Sequence, residues 1–577
     1  MTTTLDFQKT NKQKAHTTYK ALLLAISLPT GRCVGSMSPV NSIRLHSAQS
    51  RIVALFTIII VMSWIVALTS PSMAIKALWP AGAALATILM SRQAVLGLFA
   101  GSLAGCLLIY GGNLGAAITS LTADHFFSSM QGPWRIGAIL FTLVLGAFTV
   151  VIEKGGGFES LARKLLGSGK ESPRYNPKRR LETATGVMGG LCFFDGLANS
   201  LLLGRITRPL ADRVGVARAK MAYLVDSTSS SIACIAFIST WIATQLSLIQ
   251  QAIEGRGITE SAYSLFFSSI SQNFYCLFTL ILVAIVIWRR WDIGPMKHAA
   301  VSEVPTQEAD DGPVSSIWIA MVPILVLSVS ILSLFYLWDT SPLFPITEEK
   351  LTSAFSGEAG PYALTLGSVI GLLAACFLFP RHKKEQLPTA VSQGAASMLS
   401  PLLILIMAWT FGSVLSQLGT ATWLADSIGS SFQVKYFPAA IFITGALISF
   451  TTGSSWGTMG LLMPIALPAY LDLAGENPEL LSAVIGAVFS GAVFGDHCSP
   501  FSDTTIVSAF SCGVSAREHV ITQLPYAGLA AGVALVIGYC GLAVGLPPIA
   551  SLVIGTVFLI GLAYFCTRQT RSQIARK

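Results

Sequence analysis

Four aspartates stand where the sequence is otherwise apolar: Asp195, Asp226, Asp496 and Asp503. Hydroxyl and amide side chains crowd beside them, namely Asn199, Ser227, Thr228, Ser454, Ser455, Ser499, Ser502, Thr504 and Thr505. Carboxylates with neutral oxygens form a hard-ligand set, which suits a proton or a small alkali cation better than a soft metal. Burial favours the protonated carboxyl, and a bound cation favours the ionised one. One buried carboxylate can therefore hold either H+ or Na+, and competition between them is a physical route to exchange. The expected Na+ site lies near Asp226, Asp496 and Asp503. His497 sits between Asp496 and Cys498, where an imidazole could relay a proton.

Each of these residues has a plainer role open to it. Asp195 and Asp226 can cap helices, since Asp is a favoured N-cap. Asp503 can face the same cavity as Asp496 or cap a resumed half-helix. His497 can be a satisfied buried hydrogen-bonder. His519 reads as a loop residue, structural or a weak pH sensor. Arg205 and Arg208 read first as topology signals and only second as ligands for an anion. Gly453-Ser454-Ser455-Trp456-Gly457 fits the G-x-S-x-G pattern of serine nucleophiles. The pattern is short and lacks its strand-to-helix elbow, so an intramembrane serine protease is a distant alternative.

The elements that must position these groups follow from composition. The chain has 577 residues, 11% charged and 53% hydrophobic, with mean hydropathy +0.66. Soluble domains are roughly 25% charged, so this chain cannot coat a globular surface of its size. It reads as a polytopic helical membrane protein. The net charge of +9 is explained by cytoplasmic loops rather than by nucleic acid. Ten scattered cysteines without a C-x-x-C pair support neither a zinc site nor a disulfide framework. No nucleotide-binding GxxxxGK[ST] motif is present, and no cofactor is expected.

A spanning helix needs about 20 mostly apolar residues. Candidate spans are 53–69, 77–91, 94–111, 136–152, 221–249, 273–288, 315–338, 361–379, 396–418, 481–510, 525–545 and 548–566. The stretches 181–210 and 436–470 each carry a polar break and read as re-entrant hairpins. The fold expected is all-α, with about 12 transmembrane helices plus two re-entrant hairpins. Basic segments 163–180 and 205–220 then fall inside, and acidic loops 339–360 and 471–480 outside, as the positive-inside rule asks. Both termini are placed in the cytoplasm and the protein in the cytoplasmic (inner) cell membrane. The polar arm 1–50 has no evident structural logic, and Met37 is an alternative start.

The order of parts repeats. A first repeat (136–290) has its hairpin at 181–210 and a broken helix at 221–249, interrupted at Asp226–Ser231. A second (396–566) has its hairpin at 436–470 and a broken helix at 481–510, interrupted at Gly495–Pro500. Residues 51–135 supply N-terminal transmembrane helices, 291–314 a cytoplasmic linker, 315–395 connecting helices, and 567–577 a C-terminal tail. The connector between hairpin and broken helix is basic in the first repeat and acidic in the second. The two inverted repeats therefore have broken helices, the build of secondary transporters, whose site lies where the breaks meet.

The run Gly495-Asp496-His497-Cys498-Ser499-Pro500-Phe501-Ser502-Asp503-Thr504-Thr505-Ile506 resembles the signature of NhaC-type Na+/H+ antiporters, within the wider ion transporter superfamily. Thr522-Gln523-Leu524-Pro525-Tyr526-Ala527 and Gly453-Ser454-Ser455-Trp456-Gly457-Thr458 are similar to other family stretches. So are Phe193-Phe194-Asp195, Ala198-Asn199, Arg208-Pro209, Tyr223, Val225-Asp226-Ser227-Thr228 and Ile238-Ser239-Thr240-Trp241-Ile242. The resemblance covers roughly residues 136–545. It implies a secondary antiporter exchanging Na+ (or Li+) for H+ by alternating access, not an enzyme. Some relatives exchange malate for lactate, so a coupled exchanger of small organic acids is the alternative. The family's first tip commonly carries a second acid where this chain has Gly196, which bears on ion stoichiometry. The expected partners are Na+, H+ and the lipid bilayer. A homo-oligomer is allowed by G-x-x-x-G at Gly101 to Gly105 and Gly541 to Gly545.

Overall fold

The structure is a computed structural model. It describes residues 54, 56–69, 71–166, 176–193, 195–258, 260–301, 315–339, 344, 350, 359–428, 433–474 and 478–574. The N-terminal arm 1–50, most of the 291–314 linker and the last residues of the C-terminal tail lie outside the described residues.

Every regular element among the described residues is helical, as the apolar runs and scarce charges dictate. The N-terminal helices are α1 (Phe56–Leu68), α2 (Met73–Ser91) and α3 (Ala94–Ile109). A segment that carries no span expectation, 112–135, forms α4 (Leu114–Ser120), capped by the Asn113 side chain, and a π-helical continuation over Leu121–Phe127. The first half then runs α5 (Pro133–Gly155), α6 (Gly157–Leu166), α7 (Pro177–Leu191), α8 (Gly196–Val214), α9 (Arg218–Ile235), α10 (Ile242–Ile253), α11 (Ala262–Ile270) and α12 (Phe274–Arg289). Two connecting helices follow, α13 (Trp318–Asp339) and α14 (Gly360–Leu378), and then α15 (Leu387–Ser397). The second half runs α16 (Leu399–Gln417), α17 (Thr420–Ile428), α18 (Phe437–Thr452), α19 (Ser455–Ala474), α20 (Pro478–Cys498), α21 (Asp503–Cys512) and α22 (Ala516–Val533). A π turn over Ala534–Tyr539 prolongs α22, and α23 (Pro548–Ile574) closes the chain.

Eleven of the described helices or helix runs are long and apolar enough to cross a membrane. The protein is an all-α polytopic membrane protein. Both arms of the second hairpin are among the eleven, so its re-entrant reading rests on loop charge and not on length. The half-helices α10 and α21, of 12 and 10 residues, are too short to cross ~30 Å of hydrocarbon alone at ~1.5 Å per residue.

The same sequence of shapes occurs twice: long helix, short helix, two-armed hairpin, interrupted helix. In each half the second hairpin arm packs on the half-helix beyond the break of the other half, α8 on α21 and α19 on α10. The hairpin and the interrupted helix of one half also pack together, α7 and α8 on α9, and α18 and α19 on α20. Small residues allow the α18–α20 approach: Gly495 lies directly against Ser449, whose hydroxyl donates to the Ala492 carbonyl at 2.5 Å.

One expectation is corrected. The first break is not at Asp226–Ser231, which lies inside continuous helix α9. Two of the hydroxyls there fold back onto the helix: Thr228 Oγ1 donates to the Leu224 carbonyl at 2.8 Å and Ser229 Oγ to that of Asp226 at 2.9 Å. Such local back-bonding lets Ser and Thr sit inside a helix without ending it. The chain leaves helix at 236–241 instead. There Ser239 Oγ donates to the Ala233 carbonyl and accepts from the Trp241 and Ile242 amides. The Gly101–Gly105 pair serves packing inside the chain, against Pro80, Ala84 and Phe411 for Gly101 and Val414 for Gly105.

Candidate functional site

The second break is built from local chemistry. Pro500 has no N–H to continue a helix, and Ser499 Oγ accepts the Phe501 amide at 3.3 Å, fixing the turn. Helix α21 restarts at Asp503, an acid in a first turn where the helix dipole favours it. The second hairpin tip turns at Gly453, with φ +67°. A Cβ there would stand 2.8 Å from the Phe501 carbonyl carbon, so the absence of a side chain lets tip and break touch. Ser454 Oγ caps α19 by accepting the Gly457 amide at 3.0 Å.

Both tips and both breaks meet at one cavity of about 50 Å³. Its lining takes Asp195 from the first tip, Thr240 and Trp241 from the first break, and Gly453, Ser454, Ser455 and Trp456 from the second tip. Asp496, Asp503 and Thr504 come from the second break, and Met398 and Pro401 from the α15–α16 junction. The Trp241 and Trp456 rings stand 5.7 Å apart across the two halves. A water needs roughly 10–15 Å³ on this measure, so the space fits an ion with a few waters.

Asp496 is the best-framed group in it. Its side chain is 2% exposed. Oδ1 accepts the Ser502 hydroxyl at 3.1 Å, whereas Oδ2 is buried and has no hydrogen-bond partner. Ser455 stands beside the same carboxyl. The Asp496 carbonyl is held by the Thr504 and Thr505 hydroxyls, which lock the end of α20 to the start of α21. Ser502 and Thr504 share a 3.0 Å hydrogen bond. A buried carboxylate oxygen without a donor is costly unless something binds it. A proton and a cation both satisfy it.

The other expected site residues divide. Asp195, Ser454, Ser455, Asp503 and Thr504 line the cavity with Asp496, Asp195 buried and Asp503 exposed. Asn199 does not line it. Its amide donates to the Gly189 carbonyl at 3.1 Å, tying the arms of the first hairpin. Ser227 and Thr228 sit in α9 away from the cavity, and Thr228 packs against Gly189. Ser499 shapes the turn. His497 is turned from the cavity, its Nδ1 sharing a 2.8 Å hydrogen bond with the Tyr275 hydroxyl. Among the described residues no hydrogen bond joins it to Ser455, so the Ser–His pair of the protease alternative is not formed.

Asp226, expected to share the ion site, lies outside the cavity lining and is fully buried. Its oxygens are already occupied: Ser508 donates to Oδ1 at 3.1 Å, and His519 Nε2 and Gln523 Nε2 reach Oδ2 at 3.2 and 2.7 Å. His519, expected in an inner loop, is on α22 and fully buried. Ser508 and Gln523 carry polar contacts to which sequence reasoning gave no role, and His519 one that it read only as structural or a weak pH sensor in a loop. The signal available was the chain's own Thr522–Ala527 stretch, with a Gln and a nearby His at helical spacing in an apolar run.

Residues 232–542 match the Na+/H+ antiporter family. That is more than half of the chain, and the chain belongs to this family. An uncharacterized Haemophilus influenzae protein is 30% identical over 474 residues, 80% of this chain and 89% of its own. The Na+/H+ antiporter NhaC of Alkalihalophilus pseudofirmus is 28% identical over 173 residues, 30% of this chain and 36% of its own. The malate-2H+/Na+-lactate antiporter of Bacillus subtilis is 32% identical over 152 residues, 25% of this chain and 30% of its own. The match thus spans about a third of these named relatives. Among solved structures, the YdaH transporter of Alcanivorax borkumensis has TM-score 0.51 at 18% identity, over 76% of this chain and 90% of its own. MtrF of Neisseria gonorrhoeae, described with a class of antimetabolite efflux pumps, has TM-score 0.52 at 15% identity, over 75% and 85%. At these identities the likeness is one of fold, and that fold is a transporter's.

Proposed function

We propose that this chain is a secondary antiporter that exchanges Na+ (or Li+) for H+ across the cell membrane, with both ions competing for the carboxylate of Asp496. One observation carries the reading: Asp496 Oδ2 is buried without a partner at a cavity where both tips and both breaks meet. Ser455, Ser502 and Thr504 supply neutral oxygens nearby, and Asp195 and Asp503 add negative charge to the wall. Hard oxygens around a space for an ion and a few waters suit Na+. When Na+ leaves, a proton neutralises the carboxylate, which otherwise would cost ~2.5–3.5 kcal/mol at membrane depth on insertion scales.

The reciprocal packing of the halves supports alternating access. Each hairpin leans on the half-helix of the other repeat, so rocking one repeat moves the wall the other one lines. The opposite charge of the two connectors supports inversion of the repeats, with both termini in the cytoplasm. The alternative cargo, a small organic acid, draws support from the partial similarity to the Bacillus subtilis malate/lactate exchanger. The cavity of about 50 Å³ favours the ion.

The test uses everted membrane vesicles from a host without its own antiporters. A pre-formed pH gradient should collapse on adding Na+ or Li+ alone. A response that appears only after malate or lactate is added would overturn the Na+/H+ reading in favour of carboxylate exchange.

A further inference from the structure

The turn between α2 and α3 lies outside both repeats, yet it reaches the second break and the second tip. Arg92, the residue after α2, holds its guanidinium carbon 3.4 Å from the centre of the Phe501 ring. That is a close cation–π stack. On the other side of the turn, a Cβ on Gly457 of α19 would stand 2.8 Å from the Ala94 Cβ. One short turn therefore touches the break through Arg92 and the start of α19 through Ala94.

The turn is shaped to aim the guanidinium. Arg92 has φ +56° and ψ +31°, in the left-handed region. Among the described residues, Arg290 is the only other non-glycine with positive φ. Such a conformation is costly for a residue with a side chain and persists where the surroundings hold it. Here the Arg92 amide donates to the Ile88 carbonyl at 2.7 Å, and Ser91 Oγ accepts the Gln93 amide at 3.2 Å. Glycine is the usual residue at a helix end of this shape. Arginine adds what glycine lacks, a cation over the Phe501 ring.

Phe501 is where that grip matters. Its side chain is 41% exposed, so apolar packing covers only part of the ring. Its carbonyl carbon faces Gly453 at the second tip. The next residue is Ser502, whose hydroxyl donates to Asp496 Oδ1 at 3.1 Å. Ring, tip contact and ligand carboxylate are thus linked through two consecutive residues.

We propose that Arg92 is a positioning residue for the cation site, stacking on Phe501 so that the second break stays closed on the second tip and Ser502 stays on Asp496. The transport arm of this inference rests on the antiport reading given above. Arg92 is not among the residues that line the cavity, and it acts through Phe501. The sign separates this role from simple electrostatics. Removing a nearby positive charge strengthens cation binding, whereas loosening the break weakens it.

The test measures half-saturating Na+ and maximal rate in everted vesicles for native protein, Arg92→Asn, Arg92→Lys, Phe501→Leu and the double variant Arg92→Asn/Phe501→Leu. Asn tolerates the left-handed backbone, so Arg92→Asn removes the cation and spares the turn. Arg92→Asn and Phe501→Leu should each raise half-saturating Na+ by about three- to tenfold. The double variant should match the worse single within about twofold, because one contact is lost in all three. Arg92→Lys keeps a cation for the ring and should stay within about twofold of native. An unchanged or lower half-saturating Na+ in Arg92→Asn overturns the proposal, and so do effects that multiply in the double variant. A second readout needs no transport. In purified protein, Ser454→Cys at the second tip should react with a maleimide about three to ten times faster when Arg92→Asn is added, read at position 454 by mass spectrometry. Equal labelling rates count against the contact. Absence of any Na+-driven proton movement in native vesicles would instead remove the antiport reading, leaving the labelling arm to judge Arg92.

Discussion

Replacing Asp496 by Asn keeps the side-chain volume and an acceptor for the Ser502 hydroxyl, now 3.1 Å away. It places an amide N–H2 where the unpartnered Oδ2 now lies. A cation there would meet a donor instead of a charge. A hydrogen bond or contact to a charged group is worth about 1.5–3 kcal/mol, and 1.4 kcal/mol is about tenfold in affinity. Cation affinity should therefore fall by roughly ten- to a hundredfold. The folded state should not suffer, because the variant removes a buried charge that no donor satisfies at Oδ2. Two assays separate these effects. In vesicles, Na+-driven collapse of the pH gradient should drop below about a tenth of the native rate. In detergent, the native thermal midpoint should rise on adding saturating Na+, since a ligand at about a hundred times its Kd stabilises by ~2.7 kcal/mol. The variant's midpoint should start at or above the native value and ignore Na+. A variant that exchanges at the native rate with the native half-saturating Na+ would remove Asp496 from the site.

Further expectations concern the walls and supports of the cavity. Ser455→Ala removes a hydroxyl beside Asp496 and should raise half-saturating Na+ by roughly three- to tenfold with little change in maximal rate; an unchanged half-saturation would place Ser455 outside the ligand set. Gly453→Ala puts a side chain at φ +67° and 2.8 Å from the Phe501 carbonyl carbon, so about 1–2 kcal/mol of backbone strain should appear as a lower thermal midpoint, and a native midpoint would contradict the tip–break contact. Lys220 lies 3.0 Å from both Glu182 and Asp292, with Glu182 and Lys220 buried. Lys220→Met should destabilise by about 3–5 kcal/mol because it leaves a buried carboxylate unpaired, and adding Glu182→Gln should restore part of that loss. Additive losses in the double variant would deny the pairing.

Much of the fold is written in composition and punctuation. Long apolar runs and few charges demand spanning helices, and the hairpin turn at Gly453 and the break before Asp503 follow from Gly and Pro placement. The first break was harder to read. The run Asp226–Ser231 looks like a polar interruption, yet it stays helical, with the Thr228 and Ser229 hydroxyls donating to the helix's own carbonyls. The true interruption, 236–241, is mostly apolar and depends on the single side chain of Ser239. The segment 112–135 was silent because a short capped helix and a π turn have no span-length hydropathy signal.

The candidate site was legible as residue types and less so as partners. Asp496, Asp503 and Asp195 were marked by charge in apolar surroundings, and they do face one cavity. Asp226 carried the same mark but not the same surroundings. Its partners come from positions 508, 519 and 523, nearly 300 residues away in sequence, and only tertiary packing brings them together. His497 drew attention through its neighbour Asp496. Successive side chains on a helix project in different directions, and this one points to Tyr275.

Competition of Na+ and H+ for one carboxylate is tested most directly by sodium uptake into proteoliposomes of the purified protein at a series of internal and external pH values. The half-saturating Na+ concentration should rise towards about tenfold per pH unit on the acid side, as expected when one proton must leave before the cation binds. In Asp496→Asn no saturable uptake should remain. A half-saturating Na+ concentration that stays constant from acid to alkaline pH would contradict the shared site.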